Sequence, residues 1–232
     1  MRITKAFFGV AAVGLALMGF ASSVSAATDG VVRDVTTNGI IPENRELHFV
    51  GWIRTDNMDS LKCHMTMTFK ATGTAGNTGS ITNFTFTTPF NCTFSGALSG
   101  CALTSSTTES LPSHVTVTPP GEGIPGGDLD VTGSVVFTQT YSGLLCPFAP
   151  KNKDMSVSLG SLTLKPLKTG SGGTNTPKLG GTAGTSEPIA GFELSGVGAF
   201  RKSGEEGETL ITMSGQLELA EADRCTWKIA GS

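Results

Sequence analysis

Between Leu61 and Lys70 apolar and polar residues alternate without interruption. Leu61, Cys63, Met65, Met67 and Phe69 hold one parity, and Lys62, His64, Thr66, Thr68 and Lys70 hold the other. A period of two over this length specifies a strand with one face in a core and the other in water, the habit of antiparallel sheets. The same grammar recurs along the chain. Thr72–Gly79 carries Gly73, Gly76, Asn77 and Gly79, which tolerate positive φ, and leads into Ser80–Phe90 with Phe84, Phe86 and Phe90 in phase. The two runs read as a hairpin. Leu47–Ile53 is expected to open the sheet. Ser113–Thr118 forms a further strand, and Leu129, Val131, Val135 and Phe137 lie in phase within Asp128–Tyr141.

Met155, Val157 and Leu159 keep phase, whereas Leu162 and Leu164 are shifted by one after Gly160, which predicts a β-bulge there. Phe192, Leu194 and Phe200 mark one late strand. Ile211, Met213, Leu217 and Leu219 mark another, joined to it by a turn at Lys202–Gly207, and Cys225–Ile229 is expected to close the sheet. Gln216–Asp223 is the one helical candidate after the leader, and its leucine spacing suits a strand better. About ten short strands joined by Gly-rich turns predict an all-β fold, an antiparallel sandwich or a barrel-like arrangement. Pro119–Gly127 and Thr169–Pro188 are dense in Gly and Pro and read as loops. The strand grammar continues on both sides of the second, so residues 27–232 are expected to form a single domain with a Gly/Pro-rich loop at 169–188.

Residues 1–26 have the form of an export signal. Arg2 and Lys5 give a positive start, Phe7–Phe20 an apolar run shorter than the ~20 residues a bilayer span needs, and Val24-Ser25-Ala26 a small-residue cleavage pattern. The expected location is therefore outside the inner membrane: extracellular, at the cell surface, or in the periplasm. Arg2 and Lys5 are the only two of the 16 basic residues in that leader, so residues 27–232 carry a formal charge of −5 against 19 acidic residues. With no Lys/Arg cluster, nucleic acid is not an expected partner. Charged residues make up 15% of the chain, against ~25% in ordinary soluble domains, and Thr, Ser and Gly take their place. The five cysteines, Cys63, Cys92, Cys101, Cys146 and Cys225, all follow the leader and are disulfide candidates in an oxidising compartment. Two bridges and one odd thiol are expected. Cys92 and Cys101 are near enough in the chain to close a short loop, and Cys146 with Cys225 would tie the middle to the C-terminus, although sequence does not choose among the connectivities.

Motifs for chemistry are sparse. No G-x-S-x-G elbow occurs, and His48, His64 and His114 lack a partner acid at a telling spacing. No paired Cys or His spacing suggests a metal, and no cofactor is expected. Asp128 and Asp130 share a strand face beside a Gly-rich loop, and Asp56 with Asp59 shares a turn; either pair would suit calcium or acid/base work, or simply edge solubility. Glu205, Glu206 and Glu208 cluster in a hairpin turn. Trp52, Trp227 and Tyr141 are the only Trp and Tyr residues, thin equipment for a platform that stacks sugars and too few for the aromatic girdles of an outer-membrane barrel. Asn83-Phe84-Thr85 and Asn91-Cys92-Thr93 match the glycosylation sequon.

A cysteine on the Thr-rich strand Leu61–Lys70 is followed by a Gly-ringed turn and by the Phe-bearing run Phe84–Cys92. Leu111-Pro112 then precedes a Val/Thr strand, Leu145-Cys146 lies mid-chain, and Gly215–Thr226 ends in Cys-Thr. This layout resembles the small exported proteins called alkane-oxidation activators, the Pra proteins of pseudomonads. The resemblance implies a non-enzymatic surface or accessory protein whose partners are hydrophobic material or cell-surface components. Two other readings stand beside it: a pilin-like or adhesive subunit that self-associates strand to strand, and a secreted glycosidase or calcium-dependent hydrolase.

Overall fold

In the computed structural model the described residues are 29–56, 61–96, 99–121, 127–144, 146, 154–169, 179–184, 187–202 and 206–231. The expected export signal at 1–26 lies outside them, as do Asp59, Glu205 and most of the expected 169–188 loop. Thirteen strands appear among these residues and no helix: β1 Gly30–Asp34, β2 Glu46–Thr55, β3 Leu61–Thr72, β4 Thr78–Phe86, β5 Cys92–Phe94, β6 Ala102–Ser110, β7 His114–Thr118, β8 Asp128–Ser142, β9 Asp154–Thr169, β10 Leu179–Thr182, β11 Gly191–Lys202, β12 Thr209–Leu219 and β13 Trp227–Gly231. The chain is all-β and every pairing is antiparallel.

The large sheet runs β9-β11-β12-β2-β3-β4-β7-β8, and β8 pairs again with β9 from Leu129↔Leu164 to Thr140↔Asp154. That last ladder returns the sheet to its start. The result is a barrel, with β5, β6 and β10 laid on as side strands. β6 and β7 both pair with β8, and the register runs on from Ser110↔Val136 to His114↔Thr132. They are one strand broken at Leu111-Pro112-Ser113, where Pro112 cannot donate to a ladder. β13 does not close the sheet as expected. It pairs with β1 in a separate ribbon, Gly30↔Gly231 through Asp34↔Trp227, because the long β8–β9 ladder has already taken the closing position.

Alternation decides which side chains fill the barrel. Phe49, Met65, Met67, Phe69, Phe84, Leu159, Leu164, Leu194 and Leu217 are all at most 1% exposed, and the intervening hydroxyl and charged residues stand outside. This is the inverse of a membrane barrel, whose apolar face looks outward. The phase break at Gly160 is a bulge: β9 carries it as an extra residue between Val197↔Ser161 and Gly198↔Leu159. Across from it β8 bulges at Gly133, whose φ of 107° suits glycine alone. Both bulges help a flat ladder bend into a closed wall. Among the described residues no helix is long and apolar enough to cross a membrane.

Candidate functional site

With the interior packed by side chains, the surfaces open to a partner are the outer wall and the two rims. On that wall the outward positions of β9, β11 and β12 read Ser161, Thr163, Glu193, Ser195 and Ser214 toward one end. Toward the other end the pattern changes to Ser158, Gly160, Val197, Ala199 and Leu210. These residues line a groove of about 480 Å3 together with Gly198, Ile211 and Thr212. Leu210 is 76% exposed and Val197 54%. Large apolar side chains on outward strand positions, with Gly160 leaving a dent between them, depart from the hydroxyl-rich pattern at the other end of these three strands. Such a patch is a candidate contact surface.

The cysteines pair differently from either expected bridge, Cys92 with Cys101 or Cys146 with Cys225. Cys63 is bonded to Cys92 and Cys101 to Cys146, with Cα separations of 4.1 Å and 4.6 Å. Register is the reason. β5 lies antiparallel to β3 and sets Cys92 directly opposite Cys63. Ala102 pairs with Ser142, which carries Cys101 to the turn that holds Cys146. Cys225 stays a thiol, in a left-handed backbone position with its sulfur 3.3 Å from the Thr169 hydroxyl. Two bridges and an odd thiol are what the arithmetic gave, and they suit an exported chain.

Asp128 and Asp130 do share the outer face of β8. Asp130 accepts hydrogen bonds from the hydroxyls of Thr118 at 2.6 Å and Thr163 at 3.1 Å. Asp128 is only 7% exposed. Burial, and then the charge of Asp130, push its carboxyl up to about 6, while Lys165 pulls the other way. Calcium takes about six to eight oxygens, and among the described residues no group of three or more His, Cys, Asp or Glu side chains converges as a metal site requires. Asp56 is engaged by Arg54 at 2.8 Å and by the Ser214 hydroxyl at 2.8 Å, and Glu206 and Glu208 are exposed. The histidines are scattered: His48 Nδ1 lies 3.2 Å from the Thr68 hydroxyl, His64 faces outward on β3, and His114 is exposed on β7.

Comparison of the chain with protein-family models, curated proteins and solved structures finds no match. The arrangement must therefore be read from its own geometry. The three scarce aromatics separate sharply. Tyr141 and Trp227 are buried at 2% and 5% exposure, and burial raises the Tyr141 phenol well above its usual value. Its hydroxyl donates to Gln139 Oε1 at 2.6 Å inside the barrel. Trp52 instead stands on the outer wall, between outward Gln216 of β12 and His64 of β3. Its position was legible: Leu47, Phe49 and Ile53 point inward, so an even-numbered residue of that strand points out.

Proposed function

We propose that this is an exported, non-enzymatic accessory protein that works by laying its outer wall against hydrophobic material, as the resemblance to alkane-oxidation activators implies. The observation that carries the reading is the apolar groove at Val197, Ala199 and Leu210 on a wall that is elsewhere mostly hydroxyls and charges. Covering an exposed Leu or Val side chain with hydrocarbon stabilises by about 1–2 kcal/mol each. No reaction centre is required, and the packed interior gives the wall the rigidity to present the patch. Replacing Val197 and Leu210 together by Lys tests it. Because both side chains are exposed, circular dichroism and melting should stay unchanged, while adsorption at a hexadecane–water boundary, read as lowered interfacial tension, should fall severalfold. Undiminished adsorption by the folded variant counts against the proposal.

A second reading, strand-to-strand assembly, is favoured by one feature. β10 pairs with β9 alone, at Leu179↔Thr169 and Thr182↔Leu167, and among the described residues no strand covers its other edge. An open edge is a template for a further strand. Sedimentation of the native chain across a concentration series separates the two: growth into large species supports assembly, and a monomer that still adsorbs supports interfacial contact.

A further inference from the structure

A second groove on the same wall, of about 690 Å3, lies toward the opposite end of β12 from the apolar patch and is bounded in part by Trp52, Val50, His64, Gln216, Glu218 and Arg224. Apart from Arg224, which stands in the turn after β12, these residues come from adjacent strands at fixed register. Gln216↔Trp52↔His64 form one row across β12, β2 and β3, and Glu218↔Val50 form the next. Beneath them Gly51 leaves no room for a side chain, since a Cβ there would stand 2.0 Å from the Gln216 carbonyl oxygen. The indole is held from the far side by Lys62, whose Nζ lies 4.2 Å from the ring centroid, and by Arg54 at 5.9 Å. Neither cation lines the groove. Arg54 is in turn fixed by Asp56 and Ser214. At the rim the Arg224 guanidinium donates to Glu218 at 3.1 Å, which fixes two planar polar groups above the floor.

We propose that this groove binds a short stretch of a neutral oligosaccharide. A pyranose ring has an apolar C–H face and an edge of hydroxyls that each donate and accept. Its complement is a partly exposed aromatic ring beside planar amide, carboxylate and guanidinium groups. Trp52 supplies the ring, and Gln216, Glu218, Arg224 and His64 supply the edge. Charge argues against the alternatives. Arg224 is neutralised by Glu218, and the further negative charge of Glu221 in the lining offsets Lys62 beside the indole, so phosphate, nucleic acid and sulfated glycans are disfavoured. The volume falls within the ~300–1,000 Å3 usual for ligand sites. The site shares no residue with the apolar groove, so each stands or falls alone.

The test is titration of the oxidised protein with maltotriose, cellotriose, mannotriose and chitotriose, followed by calorimetry and by tryptophan fluorescence. Trp227, the only other Trp, is buried, and a Trp52→Phe variant supplies its background signal. At least one trisaccharide should bind with a dissociation constant at or below about 1 mM, perturb the Trp52 emission, and lose affinity about tenfold or more in Trp52→Ala and in Gln216→Ala, with unchanged circular dichroism. The proposal is overturned if all four fail to bind, if binding survives Trp52→Ala, or if a heparin fragment binds more tightly than every neutral sugar. The Val197/Leu210 double variant should bind the sugar as the native chain does; loss of binding there would also overturn the assignment.

Discussion

At the Leu47 end of the barrel the interior is shut by a ribbon, and at the Ile53 end it is shut by sulfur. The ribbon, β1 with β13, brings together residues from near the two extremities of the described chain with no covalent tie. It buries Val31, Val32, Trp227 and Ile229 at 5% exposure or less. Arg45 stacks over Trp227 at 5.4 Å and pairs at 2.9 Å with Asp223, whose side chain is 4% exposed. The other end has Phe84, Phe86 and Phe137 packed in a cluster, with Phe94 edge-on to Tyr141 at 5.8 Å. Its cover is thin, however. β5 has only three residues, none fully buried, and along β6 only Leu103 is buried. Where apolar burial is deep, noncovalent closure suffices even for a very long loop. Where the covering strands bury little, as β5 and β6 do, the two disulfides take over the task.

The largest effect expected from breaking this contrast is reduction of both bridges. Bridges spanning 29 and 45 residues should each contribute about 3–4 kcal/mol by restricting the unfolded chain. Urea melts with and without reductant measure the sum, and hydrogen exchange locates it. Amides of β5 and β6 should lose protection first while those of β1 and β13 keep theirs; simultaneous loss would mean that the two ends are one cooperative unit. Next comes Trp227→Ala, which should cost about 3–5 kcal/mol by opening a cavity under the ribbon. Trp227→Phe should cost no more than about 1–2 kcal/mol, since the indole N–H is buried without a hydrogen-bond partner among the described residues. Phe94→Ala at the opposite end, where the ring is only partly buried, should cost less than Trp227→Ala.

The smallest effect sharpens the electrostatic side of the ribbon end. Asp128 has its carboxyl raised from 3.8 to about 6, so the folded state holds its proton more tightly than the unfolded state. That contribution is fully present below about pH 4 and is lost as pH rises through 6. Asp128→Asn should therefore melt higher than the native chain at pH 7–8, by roughly 1–2 kcal/mol, and the difference should vanish near pH 4. A constant difference at every pH would mean that the substitution acts through packing instead.

Much of this architecture was legible because alternation is a local property. Each inward residue of β2, β3, β8, β9, β11 and β12 advertises its own phase, and the slip after Gly160 announced the bulge. β6 was not legible: Ala102–Ser110 reads ALTSSTTES, which offers one buried leucine and no period. β1, β5 and β10 are too short to show one, and β10 stands inside a stretch read as loop. The carboxylate pair on β8 could be placed on one face from its spacing, whereas the burial that perturbs Asp128 could not. The apolar groove went unread for a related reason. Val197 and Leu210 look like core residues until register turns them outward.

Taken alone, the amino-acid sequence determined that the chain would pleat, which residues of each long strand would face a core, and that five cysteines would leave one unpaired. These depend on neighbours one or two positions apart, where backbone geometry imposes the period. Only the tertiary structure decided that β8 would meet β9 and close a barrel, that Cys63 would face Cys92, and that Trp52, Gln216 and His64 would stand in one row. Those outcomes depend on pairing between strands distant in the chain, and hydrogen-bonded ladders are nearly indifferent to side-chain identity. Their choice is made by the global fit of one buried face against all the others.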